Sequence, residues 1–103
     1  MLKTLDILEI LRIRVTERTG TGTDYRIAKE LGASFSGVGG WKRGRSIDAV
    51  YAIKIANYCG IDPRYLVACV EHEKAQDDQA RAFWADLAAD FAPDDLPRQA
   101  RAA

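Results

Sequence analysis

At 103 residues, 48% of them hydrophobic, the chain is sized for one compact domain with a real core and little room for a second. No run approaches the roughly 18 apolar residues of a membrane span, and the start lacks the basic, apolar, small-residue order of a secretory signal, so a soluble protein of the cytoplasm of a bacterial host cell, with no membrane partner, is expected. The formal net charge is zero, which argues against nucleic acid until its distribution is seen: residues 1 to 60 carry +4, with six Arg and four Lys, and residues 61 to 103 carry −4.

In chain order, Thr4 is placed to cap a first helix with Leu5, Leu8, Leu11 and Val15 on one stripe and Ile7, Ile10 and Ile13 on another. From Leu11 to Thr16 the same residues also alternate like a strand, so periodicity leaves that stretch open. Residues 19 to 23, Thr-Gly-Thr-Gly-Thr, break the pattern. Thr23 then caps a short helix from Asp24 to Leu31, with Asp24 well sited against the helix dipole and Gly32 ending it. Ser34 caps a second short element reaching Lys42 or Arg43, closed by Gly44. Ser46 is read as the cap of a helix from Ile47 to Cys59 that Gly60 stops, and Asp62-Pro63 as the start of a helix to about Ala75. Cys59 and Cys69 fall among apolar neighbours in these helices and read as buried thiols, since two cysteines make no disulfide scaffold. Asp77 or Asp78 opens a last helix with Ala80, Phe83, Trp84, Leu87, Ala88 and Phe91 on one face. Past Pro93 almost no apolar bulk remains. The expected organisation is a unit over 1–76, a terminal helix over 77–92 and a flexible tail over 93–103.

Function is concentrated in residues 23 to 46, TDYRIAKELGASFSGVGGWKRGRS. Ile27 and Leu31 share one side of the first short helix, small Ala28 permits a close crossing, Gly32 allows a left-handed turn, and Val38 and Trp41 return to the core. This is the spacing of a helix-turn-helix. The segment resembles the DNA-binding motif of the lambda repressor/Cro-type (XRE-like) family, and Ser36-Gly37-Val38-Gly39 resembles the start of a recognition helix there. Trp41-Lys42-Arg43-Gly44-Arg45, followed by a helix and Gly60-Ile61-Asp62-Pro63, extends the likeness to small phage-related regulators.

The resemblance implies an all-α bundle of five helices with an added C-terminal amphipathic helix. It implies a DNA-binding repressor, of phage or prophage origin, that acts as a homodimer on palindromic half-sites of double-stranded DNA. Phe35, Ser36 and Gly40 match base-contacting positions, with Ser34 beside them. Thr23, Lys42, Arg43, Arg45 and Ser46 fall where phosphates are contacted. Two departures bear on mechanism. Phe35 can touch a thymine methyl but cannot hydrogen-bond a purine edge, and Gly37, Gly39 and Gly40 each weaken the recognition helix by roughly 1 kcal/mol relative to Ala. Readout through DNA shape is therefore part of the expectation.

Blander readings stand beside these. The charge asymmetry is also compatible with chance, Lys42, Arg43 and Arg45 with a solvated turn, and Phe35 with a ring folded into the core. The terminal helix serves either as a core cover or as a dimer seam of Phe83, Trp84, Leu87 and Phe91. A protein-interaction module, such as an antitoxin or antirepressor, is the alternative function. Cys69, His72 and Cys59 lack the fourth ligand and regular spacing of a metal site, and no catalytic constellation is present, so no metal, cofactor or enzymatic activity is expected.

Overall fold

The computed structural model describes residues 1–96, which form six α-helices with no strand among them. They are α1 (Thr4–Thr19), α2 (Asp24–Leu31), α3 (Phe35–Lys42), α4 (Ala49–Cys59), α5 (Pro63–Lys74) and α6 (Asp78–Phe91). None is long and apolar enough to cross a membrane.

The ambiguity after Leu11 resolves as helix because α1 is packed on more than one side. It meets α2, α3 and α4, and it buries Ile7, Leu8, Ile10, Leu11 and Val15. A strand over Leu11–Thr16 would have placed Leu11, Ile13 and Val15 on one face. The helix instead buries Leu11 and Val15, one turn apart, and leaves Ile13 half-buried.

Two caps lie elsewhere than expected, for one shared reason. Thr4 is not the cap of α1 but its first residue, following Lys3, whose N–H donates to the Asp6 carboxylate at 2.9 Å. Thr4 is 2% exposed. Its Oγ1 donates to Glu73 Oε1 at 2.6 Å and accepts from the Ile47 N–H at 3.1 Å, while its own N–H donates to Glu73 at 3.1 Å. One hydroxyl thus ties the start of α1 to the end of α5 and to the α3–α4 loop. Held there, Ile47 is fully buried and precedes its helix, and Asp48 rather than Ser46 caps α4 by accepting from the Tyr51 N–H at 2.9 Å. The remaining caps follow local chemistry, with Asp62 ahead of Pro63 opening α5 and Asp77 accepting from the Ala80 N–H at 3.0 Å to open α6.

α6 packs chiefly on α5. Ala88 is buried in the common core, and Trp84, Leu87 and Phe91 lie half-buried against it. The Arg64 guanidinium sits 4.0 Å above the Phe91 ring. Leu96, within the expected tail, lies half-buried against the core, and positions 97–103 lie outside the described residues. Cys59 and Cys69 are free and buried, and burial pushes the Cys59 thiol up to about 11, out of the range of a reactive thiolate.

Replacing Thr4 by Val leaves the buried Ile47 N–H without its acceptor and Glu73 with only the backbone N–H of residue 4 as donor, and the expected loss is about 1–3 kcal/mol. Urea unfolding should show a lower midpoint at an unchanged slope.

Candidate nucleic-acid interface

The candidate interface is built on the α2–α3 pair. Thr23 accepts from the Arg26 N–H at 3.2 Å and starts α2, so its hydroxyl is engaged by its own helix. Gly32, at φ +70°, makes the left-handed turn that lets Ser34 follow within two residues. Ser34 caps α3 by accepting from the Gly37 N–H at 2.9 Å, and its Oγ lies 3.3 Å from that of Ser36.

α3 has a sharply divided surface. Val38 (0% exposed) and Trp41 (4%) anchor it from behind, and the Trp41 ring meets Tyr51 edge to face at 5.4 Å. Phe35 is 61% exposed, so the ring does not fold back into the core, and Ser34 and Ser36 are exposed with it. Gly40 is different. It is buried, and a Cβ there would lie 3.7 Å from the Arg45 guanidinium carbon. In this arrangement the Arg45 side chain lies over Gly40.

The basic residues divide into paired and unpaired. Lys42 Nζ bonds Asp24 Oδ2 at 2.8 Å, Arg12 Nη2 bonds Asp24 Oδ1 at 3.0 Å, and Arg12 Nη1 donates to the Gly22 carbonyl. The Lys42 hydrogen bond, aided by Arg12, holds the Asp24 carboxyl below the usual carboxylate range. Lys42 is accordingly not a free cation. Arg43 and Arg45 are exposed and form no ion pair among the described residues, and Ser46 is half-buried beside them. A small polar hollow between α3 and α4 is bordered by Ser34, Arg45, Ser46, Asp48 and Tyr51.

Sequence reasoning missed two residues here. Arg12 belongs to the middle of α1, and nothing in its neighbourhood announces a partner twelve positions on. Tyr25 is 64% exposed in the first turn of α2, where an aromatic among polar neighbours within the motif was the available signal. Of the four residues considered for a dimer seam, Phe83 alone is largely exposed, at 59%; its ring meets Trp84 edge to face. Among the described residues, no group of three or more His, Cys, Asp or Glu side chains is assembled as a metal site requires.

Comparisons with protein-family models, with curated proteins and with solved structures find no match.

Asp24 stabilises the fold through a depressed pKa, so its contribution is present above the ordinary carboxylate pKa of about 4 and is lost as the pH falls through the lowered value. Asp24→Asn should lower stability at pH 7 by about 1 kcal/mol or less, because Lys42 is half exposed. Urea midpoints at pH 7 and pH 3 check this: the variant's deficit should shrink at the lower pH.

Proposed function

We propose that this chain is a sequence-specific, double-stranded DNA-binding transcriptional regulator of the lambda repressor/Cro-type helix-turn-helix family, acting as a repressor of the kind carried by phages and prophages. The observation that carries the reading is the two-sidedness of α3. A helix anchored from behind by Val38 and Trp41 presents Phe35 and Ser36 outward and is followed directly by unpaired Arg43 and Arg45. In this reading α3 enters the major groove and α2 lies across the backbone. Phe35 meets a thymine methyl and Ser36 a base edge, while Ser34 holds the helix start to the groove through its cap. Arg45, Ser46 and Thr23 face phosphates. Lys42 joins them by exchanging Asp24 for a phosphate oxygen, which replaces one anionic partner with another and leaves Arg12 to hold Asp24.

Operator recognition by two copies requires a two-fold seam, and Phe83 is the member of the α6 set that a partner can still cover. Trp84, Leu87 and Phe91 serve the bundle first. A second reading, a protein-interaction module, is favoured by one observation: Val50 (61% exposed) and Ile53 (44% exposed) put apolar surface on α4.

Selection from a pool of randomised duplexes, followed by titration of the selected site between about 50 and 200 mM salt, separates the two. The regulator reading predicts an enriched site and a steep fall of affinity with salt. Arg45→Ala should weaken binding nearly uniformly across sequences and lower the salt slope by about 0.9, the value of one phosphate contact. No enriched site together with shallow salt dependence would favour the interaction module.

For the seam, Phe83→Asp should convert a dimer into a folded monomer by sedimentation and weaken operator binding. A variant that stays dimeric excludes Phe83 from the seam.

A further inference from the structure

We infer that Arg43 reads a guanine from the middle of the recognition helix rather than contacting a phosphate at its end, an inference that rests on the DNA-binding reading above. At about 100° per residue, the buried Val38 and Trp41 define the inner side of α3, Gly39 and the C-cap Arg43, four apart, lie on the outer one, and Phe35 stands on the flank between them. The Arg43 backbone is held at the end of the helix, its N–H donating to the Gly39 and Gly40 carbonyls at 3.1 Å each. Its side chain runs back toward the helix start, the direction helical side chains take.

Gly39 makes this path possible. A Cβ at position 39 would lie 3.1 Å from Arg43 Nη1, 3.8 Å from Cζ and 3.9 Å from Nη2, so the guanidinium rests over the glycine at a distance a side chain there would contest. The group therefore sits over the part of the helix that would face the groove floor, where base edges lie, and not beyond its last turn, where the backbone passes. It is also uncommitted. Arg12, Arg14, Arg26, Lys42, Arg64 and Lys74 all have carboxylate partners, and Arg43 has none among the described residues.

A guanidinium offers a planar fork of donors that matches the O6 and N7 acceptors of guanine. One turn before Gly39, on the flank of that face, exposed Phe35 offers only apolar surface, which suits a thymine methyl. The half-site is thus assigned a guanine and a thymine about two base pairs apart, since one helical turn rises about 5.4 Å against about 3.4 Å per base pair. This division of labour accounts for the glycine. A recognition helix with a side chain at position 39 would be more stable but would push the Arg43 guanidinium outward by a few tenths of an ångström.

The test is randomised-site selection and competition binding with the full chain as wild type, Arg43→Gln and Gly39→Ala. The wild type should enrich a site containing one strongly preferred G·C pair. Arg43→Gln should lose that preference by about 10- to 100-fold and turn it toward A, whose N6 and N7 suit an amide, while the other positions keep theirs. Gly39→Ala should unfold at a higher temperature than wild type, as expected for Ala over Gly in a helix, yet show a reduced preference at the same base pair. Unchanged preferences in both variants, with Arg43→Gln binding all sequences uniformly more weakly at a reduced salt slope, would make Arg43 a phosphate contact and overturn the inference while leaving the regulator reading in place. If the wild type enriches no site, the DNA reading itself falls, and this inference with it.

Discussion

Everything on the α3 surface depends on Val38 and Trp41 being buried. The eight residues of α3 include three glycines, which together weaken the isolated helix by about 3 kcal/mol relative to alanine. Two turns of such a sequence have no helical stability of their own in water. Burying Val38 and Trp41 contributes roughly 1.5–3 kcal/mol for each large apolar side chain, which is enough to offset that deficit. The helix is therefore shaped by the pocket behind it, which its partners α1 and α2 form, with Tyr51 of α4 against the Trp41 ring. That dependence frees the outer side of α3 from any duty to the helix itself, so glycines can stand where most helices would place alanine.

The same economy governs charge. A chain of zero net charge has no general attraction for a polyanion, so the local arrangement of cations decides the matter. Asp24 neutralises the cations nearest it, Arg12 and Lys42, and by doing so braces α1, α2 and the end of α3 against one another. Arg43 and Arg45 lie beyond its reach. Among the acidic residues of the second half, Glu71 and Glu73 are carried by α5 and Asp78, Asp86 and Asp90 by α6, which packs on α5, whereas α3 packs on α1 and α2. A half-chain asymmetry visible in composition has thus become a separation between helices.

The limits of sequence reading show at particular residues. Thr23, Ser34, Asp62 and Asp77 act as caps because a capping bond spans only two or three residues, and local chemistry suffices to assign it. Thr4 and Ser46 look equally suitable and do not cap. Thr4 is taken by Glu73, 69 positions away, and by Ile47, 43 positions away. With Ile47 drawn into the core, the start of α4 moves on to Asp48. The burial of Gly40 has a similar origin, since Arg45 folds over it after the positive-φ turn at Gly44, a turn whose course no helical wheel describes.

What the amino-acid sequence determined by itself was the local grammar: the helices from α2 onward, the turn at Gly32 between two short ones, the inward set Ile27, Ala28, Leu31, Val38 and Trp41, and the burial of both cysteines. Each follows from periodicities and caps that act within a turn or two. Tertiary structure alone decided which cations are free, which glycines are covered, and that Trp84, Leu87 and Phe91 turn to the bundle while Phe83 stays exposed. Those outcomes depend on side chains from distant parts of the chain competing for the same partner or the same space, and spacing along one helix carries no information about the competitor.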